Sequence, residues 1–131
     1  MDLERFPLFA ALGEEERQLV ADAAEEVEVP VGEHLTREGE FGYQFFAIVE
    51  GRAEVRRDGQ VVGELGPGEV FGEVALLITG RRLASVTALT PMRLVVLFQS
   101  EFHRIERRVP ALGKLLREQS SNYLSSPGGS G

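Results

Sequence analysis

Three charged side chains lie in the most apolar part of the chain, residues 71–86, whose sequence reads FGEVALLITGRRLASV. Glu73 stands near the start of this segment, and the neighbouring Arg81 and Arg82 follow in its middle. A charge in an apolar segment costs free energy unless it is paired or contacts a ligand. The three side chains are therefore either partners of one another or parts of a binding site.

The spacing of these residues suits a phosphate ester of a sugar. If residues 73–77 form one short helical turn after Gly72, the free N–H groups at its start point outward together and can bind phosphate. Arg81 or Arg82, returning on the next strand, would supply positive charge, whereas Glu73 repels phosphate but can accept a hydrogen bond from a sugar hydroxyl. The pattern therefore predicts a nucleotide or a sugar phosphate. An ion pair between Glu73 and an arginine, with no ligand, is the alternative that the spacing leaves open.

Other residue types that carry chemistry are scarce in this sequence. The chain has no cysteine, which excludes disulfides and thiol catalysis. Its two histidines, His34 and His103, lack partners at the spacing of a metal site or a catalytic triad. Ser85 lacks the surroundings of a nucleophilic serine. A jelly-roll metal enzyme would need clustered histidine and carboxylate ligands, so we expect neither an enzyme nor a metal cofactor.

The overall composition is that of one soluble domain. The chain has 131 residues, of which 43% are hydrophobic and 27% charged, and its formal net charge is −7. Negative charge disfavours contact with nucleic acid or with an anionic membrane, and an anionic ligand would need local positive charge. The sequence contains no apolar run long enough to span a bilayer and no signal-peptide pattern, so we expect a cytoplasmic protein.

Short strands must position the charged segment. Between residues 26 and 98, β-rich runs alternate with glycine-containing turns, a pattern typical of an antiparallel jelly-roll barrel. The turn signals stand at residues 50–51, 57–59, 66–68 and 79–80. We therefore predict a mainly β fold, with a short helix inside residues 71–86.

Helices are predicted on both sides of the strands. Residues 6–27 have apolar side chains at helical spacing, and three acids after Gly13 suit a helix start. After the last strand, Ser100 is a suitable N-cap for one helix and Pro110 a suitable first residue for a second. Residues 1–124 are thus predicted to form the domain, and the tail SSPGGSG at 125–131 has the composition of a flexible linker.

The segment 71–86 closely resembles the phosphate-binding cassette of the cyclic nucleotide-binding domain family. That cassette reads roughly Phe-Gly-Glu-x-Ala-Leu-(Leu/Ile), a short spacer, then Arg-x-Ala-(Ser/Thr)-Val, and every fixed position is filled here. The resemblance extends from about Phe6 to Tyr123, and it includes kinase regulatory subunits, cation channels and catabolite activator-type regulators. It implies a jelly-roll domain whose ligand is a cyclic nucleotide.

The resemblance implies a role for each charged residue. Arg82 stands where the arginine of the family meets the exocyclic phosphate oxygens. Glu73 stands where the glutamate of the family accepts a hydrogen bond from the ribose 2′-hydroxyl. Arg81 should alternate to the opposite face of its strand and remain solvated.

The resemblance also implies a set of ligand contacts around these two residues. Backbone groups at Gly72, Val74 and Ala75 would line the phosphate and the ribose, and Leu65, with Val55, would pack on the base. The full predicted set, in which the last three residues complete the pocket wall, is Leu65, Phe71, Gly72, Glu73, Val74, Ala75, Arg82, Leu83, Ala84 and Ser85.

Two positions depart from the family pattern. Many members carry a polar, often acidic residue after the glycine of the EG-x-x-G turn, where this chain has Tyr43. Members that favour cGMP often have a threonine directly after the arginine, where this chain has Leu83, which offers guanine no hydroxyl. The resemblance therefore favours cAMP over cGMP as ligand, and it also leaves weakened binding open.

The function that follows is a regulatory module that senses a cyclic nucleotide, with a rearrangement of the C-terminal helices as its output. Its expected partners are the nucleotide and an output domain or protein outside this chain, and a homodimer through the C-terminal helix is a further option. The alternative function is a degenerate domain that keeps the fold as a protein–protein interaction module and binds no nucleotide. Leu83 supports that alternative, and the complete cassette opposes it.

Overall fold

The computed structural model describes residues 1–73 and 75–124, with side chains given for these except at residue 78 and at 119–124. Val74 and the predicted linker 125–131 therefore lie outside the described residues, as does the side chain of Tyr123.

In the described residues, eight strands form two four-stranded antiparallel sheets, with the orders β1-β8-β3-β6 and β2-β7-β4-β5. The strands are β1 Glu25–Val29, β2 His34–Thr36, β3 Gln44–Glu50, β4 Ala53–Arg57, β5 Gln60–Leu65, β6 Val70–Phe71, β7 Ser85–Ala88 and β8 Met92–Phe98. This mainly β architecture with flanking helices confirms the predicted jelly-roll fold class.

The apolar runs of β3 and β8 are continuous because both faces of their sheet are covered. Alternate residues of these strands, such as Phe46 and Leu94, face the other sheet and belong to the core between the sheets. The residues between them, such as Phe45 and Val95, belong to a second core that includes helix residues. Strand β7 is covered on one face only, and along Ser85–Ala88 half-buried residues therefore alternate with buried ones.

Helices surround the sheets at both ends of the chain. They are a 3-10 turn Leu3–Arg5, α1 Pro7–Ala10, α2 Glu14–Ala23, α3 Gln99–Glu106 and α4 Pro110–Leu124. The two predicted C-terminal helices are thus confirmed. Within the described part of the chain, none of the helices is both long and apolar enough to cross a membrane.

The helix start predicted after Gly13 is confirmed, because α2 begins at Glu14 and the extended Gly13 donates its N–H to the Glu16 carboxylate at 3.0 Å, while α1 is a separate short helix before it. Two other boundary predictions were wrong. The predicted end of this helix at residue 27 belongs to β1, since Glu25–Val29 pairs with β8. Ser100 is not the cap of α3, because β8 runs to Phe98 and the helix begins at the next residue.

Candidate functional site

The cassette segment leaves the first sheet and enters the second through one helical turn. Strand β6 ends at Phe71, Gly72 turns the chain with φ +92°, and a π-type turn spans Ala75–Thr79. The amide of Gly80 donates to the Ala75 carbonyl at 3.0 Å and closes this turn before β7 begins. The short helix predicted for residues 73–77 is therefore present, shifted by two residues toward the C-terminus.

Arg82 is buried beneath the cassette. Only 5% of it is exposed; its Nη1 donates to the Gly72 carbonyl at 3.2 Å and its Nη2 to the Gln44 carbonyl at 2.9 Å. Desolvation lowers the pKa of Arg82 to about 10, and the nearby Glu73 opposes that shift. The guanidinium therefore stays charged at neutral pH.

Glu73 is fully buried, with an exposure of 0%. Among residues 1–73 and 75–124, neither of its carboxylate oxygens has a hydrogen-bond partner, so the structure shows no hydrogen bond between Glu73 and Arg82. Desolvation raises the pKa of Glu73 to about 8, while its own backbone N–H and Arg82 act to lower it. A buried carboxyl group without a partner is costly, and such groups are rare in folded proteins.

The electrostatics of this pair suit an anion. At neutral pH Arg82 carries a positive charge and Glu73 is mostly protonated, because its pKa of about 8 lies above the pH. The pair therefore contributes a net charge close to one positive unit, although the whole chain has a formal net charge of −7. The local positive charge that an anionic ligand requires is thus present.

Arg81 takes the opposite direction from Arg82 and is exposed, as the strand alternation predicted. Its Nη1 donates to the Gly39 carbonyl at 2.8 Å, and its guanidinium lies 4.2 Å from the ring centroid of Phe41. Phe41 in turn stacks on Tyr43, and both rings are exposed. Arg81 is therefore solvated, and it also stabilises the turn that contains Gly39 and Phe41.

Comparison with known proteins agrees with this geometry. The family model described as "Cyclic nucleotide-binding domain" matches residues 26–108. The chain belongs to the cyclic nucleotide-binding domain family. The domain is a regulatory and non-catalytic one.

Three relatives illustrate the range of the cyclic nucleotide-binding domain family. A cAMP-dependent protein kinase regulatory subunit from Schizosaccharomyces pombe is 38% identical over 104 residues, 79% of this chain and 25% of that protein. The cGMP-dependent protein kinase egl-4 from Caenorhabditis briggsae is 39% identical over 100 residues, 76% of this chain and 13% of that protein. The crystal structure of Thermus thermophilus catabolite activator protein has a TM-score of 0.81 and 31% identity, covering 90% of this chain and 58% of that one. The chain thus spans a quarter or less of these two kinase proteins.

The structure brings most of the predicted site residues of this cyclic nucleotide-binding domain together. Leu65, Phe71 and Ala84 are buried in the core between the sheets, where the Phe71 ring stacks on Phe46 with centroids 4.8 Å apart. Ala75 is buried at the start of the helical turn. These residues lie in the same part of the fold as Gly72, Glu73 and Arg82.

Two predicted wall residues differ from the rest. Leu83 and Ser85 are half-buried, and neither belongs to the core between the sheets that contains Ala84 and Val86. The Ser85 hydroxyl accepts a hydrogen bond from the Glu38 N–H at 3.0 Å. Their contact with a ligand stays a prediction, as does the backbone contact of Val74, which lies outside the described residues.

A cleft of about 300 Å³ opens beside the buried arginine. It is lined by His34, Leu35, Thr36, Arg37, Glu40, Phe41, Tyr43, Gln44, Arg82 and Phe98. Among the predicted site residues with a described position, Arg82 alone lines this cleft, and Glu73 is fully buried.

Sequence reasoning missed two residues that contact Arg82. Gln44 acts through its backbone carbonyl, which every residue type provides, so its side chain gave no signal. Gly42 lies against the guanidinium, and only its lack of a side chain matters there.

Proposed function

We propose that this domain binds a cyclic nucleotide, with cAMP preferred, through Arg82 and Glu73. The observation that carries this proposal is the buried Glu73 carboxyl group, which finds no hydrogen-bond donor in the described residues and lies beside a charged arginine. Burying the Glu73 carboxyl group without a hydrogen-bond partner costs free energy, and a ligand hydroxyl would offset that cost.

The phosphate is assigned to Arg82 and to the start of the helical turn. A cyclic phosphate diester carries a single negative charge, which matches the net positive charge of the pair. The planar guanidinium presents its N–H donors in a fork that suits two phosphate oxygens. Gly72 allows close approach of the backbone here, because it adopts φ +92° and has no side chain.

The ribose is assigned to Glu73. The Glu73 carboxyl group has an oxygen that can accept a hydrogen bond from a 2′-hydroxyl whether the group is protonated or ionised, and neither of its oxygens has a hydrogen-bond partner among the described residues. The ligand would thus provide the missing hydrogen bond, and its phosphate would lie next to the sugar, as a 3′,5′-cyclic nucleotide requires.

The relatives alone do not choose the base, since one is named for cAMP and another for cGMP. Leu83 favours adenine, because an apolar wall cannot pair with the 2-amino group or the carbonyl of guanine, and unpaired polar groups cost desolvation free energy. Leu65 offers the base an apolar surface without polar discrimination.

We expect cAMP to bind more tightly than cGMP, and we expect Leu83→Thr to narrow that difference by about 1 kcal/mol, the value of one neutral hydrogen bond. Competition of both nucleotides against a fluorescent analogue, with wild type and variant side by side, measures the difference. A wild-type preference for cGMP would contradict the role given to Leu83. Failure of both nucleotides to compete at millimolar concentration would refute the proposed function and favour an interaction module.

The output is proposed to pass from the cassette to the C-terminal helices. Leu76 of the helical turn belongs to the same core as Leu112 and Leu116 of α4, and the Gln99 side chain at the start of α3 donates to the Leu76 carbonyl at 3.4 Å. A ligand that repositions the turn must therefore repack these helices. We expect cAMP to change amide hydrogen exchange in α4, and unchanged exchange at saturating cAMP would refute this link.

A further inference from the structure

Gly42 lies where a side chain would collide with the buried arginine. A Cβ built at this position would be 2.6 Å from Nε and 2.8 Å from Cζ of Arg82, and 2.6 Å from the Cβ of Ala75. Real Cβ atoms are not found this close to their neighbours. Gly42 does not have a positive φ, so its backbone conformation is open to other residue types. The glycine is required here for space alone.

Several other glycines of the domain, unlike Gly42, have open space where a Cβ would lie. Gly39 and Gly68 have φ values of +85° and +89°, and a Cβ on either would meet no described atom within 4 Å. Gly63 and Gly66 have neither a positive φ nor a described atom within 4 Å of a Cβ. Gly66 therefore serves as a matched control, since an alanine there changes neither conformation nor packing.

The backbone around Gly42 cannot easily withdraw from the arginine. The turn before it is bonded to the arginine segment by Gly39 N–H to Arg82 carbonyl at 2.9 Å, Arg82 N–H to Glu40 carbonyl at 2.8 Å and Gly42 N–H to Gly80 carbonyl at 2.9 Å. These three bonds fix the distance between position 42 and the Arg82 side chain. A methyl group at position 42 must therefore displace the guanidinium, the more flexible of the groups it meets.

We propose that Gly42 is a positioning residue for the ligand phosphate, because it gives the Arg82 guanidinium the space to donate to the carbonyls of Gly72 and Gln44. This inference rests on the proposed function. Arg82 in this position lies under the cassette, where the phosphate is assigned. A displaced guanidinium would keep its charge and lose its orientation.

We expect Gly42→Ala to lower the affinity for cAMP roughly 10- to 100-fold, the range of one charge-assisted hydrogen bond, and Gly66→Ala to change it less than about twofold. Titration calorimetry of the whole chain with cAMP measures both. An unchanged affinity of Gly42→Ala, with wild type binding normally, would overturn the inference and leave the proposed function intact.

A double-mutant cycle separates positioning from a general structural effect. In the Arg82→Ala background, Gly42→Ala should cause no further loss, because the group that it displaces is gone. An equal loss in both backgrounds would show that Gly42 acts on the fold, and would overturn the inference. If Gly42→Ala proves too unstable to measure, the double variant Gly42→Ala/Ala75→Gly can replace it. This variant removes the collision with the Ala75 side chain and retains the collision with Arg82, so it should still bind cAMP weakly.

A measurement without nucleotide tests the positioning role of Gly42 independently of the proposed nucleotide binding. The ¹⁵N-detected Nε–H resonance of Arg82, assigned by comparison with Arg82→Ala, should shift in Gly42→Ala and stay in place in Gly66→Ala. An unshifted resonance in Gly42→Ala would overturn the inference whatever the ligand. If wild type binds neither cAMP nor cGMP, the proposed function fails, and the resonance still decides whether Gly42 positions the arginine.

Discussion

Replacing Arg82 with alanine is expected to lower the affinity for cAMP roughly 30- to 1000-fold, because a partly desolvated, charge-assisted contact with phosphate is worth about 2–4 kcal/mol. The domain should remain folded, since the side chain contacts two backbone carbonyls and the edge of the core at the Phe46 ring, while the apolar side chains of both cores stay in place. Titration calorimetry gives the affinity, and thermal unfolding without nucleotide checks the fold.

Arg81→Ala is the matched control, since it removes the same charge one residue earlier. Arg81 is exposed and contacts the Gly39 carbonyl and the ring of Phe41. Exposed contacts of this kind are worth up to about 1 kcal/mol, so the affinity should fall by no more than about fivefold. Equal losses in the two variants would mean that the net charge of the region, and not the buried contact of Arg82, holds the phosphate.

The strands and the cassette could be predicted because their signals are local. Glycine turns separate short β-rich runs, and the continuous apolar runs of β3 and β8 correspond to strands covered on both faces. The N-terminal boundary failed because Val27 fits a helical spacing and a strand alternation equally well, and pairing with β8 decided the matter. Pairing with a strand almost seventy positions away leaves no trace in the local sequence.

The charged pair of the site could also be predicted, because Glu73 and Arg82 are conspicuous in an apolar segment. Their surroundings could not. Arg82 donates to the backbone carbonyl of Gln44, a group that every residue type has, and the space for its guanidinium exists because position 42 is a glycine. The depth of burial of Glu73, which sets its protonation, depends on how the cassette packs. These features arise only in the folded structure, so residue types and their spacing do not predict them.

Glu73→Gln is expected to make the domain more stable at alkaline pH. The pKa of Glu73 is raised from 4.5 to about 8 in the folded protein by desolvation. Between these values the unfolded chain has an ionised Glu73 and the folded chain a protonated one, so the folded state binds more protons and its stability falls as the pH rises. Integrated from pH 4.5 to 8, this loss is about 4 kcal/mol in wild type and absent in Glu73→Gln, which cannot ionise.

Chemical unfolding of both proteins from pH 5 to pH 8, without nucleotide, measures this difference, and the exposed change Glu64→Gln controls for the loss of one carboxylate. Parallel curves for wild type and Glu73→Gln would contradict the raised pKa.

The same variant, Glu73→Gln, should bind cAMP roughly tenfold more weakly, while its affinity for 2′-deoxy-cAMP, which has no 2′-hydroxyl to donate, should change by less than about twofold. An equal loss for both ligands would show that Glu73 acts on the cassette and not on the ribose. A variant that is more stable and binds less would show that the domain keeps a destabilising carboxyl group because the ligand needs it.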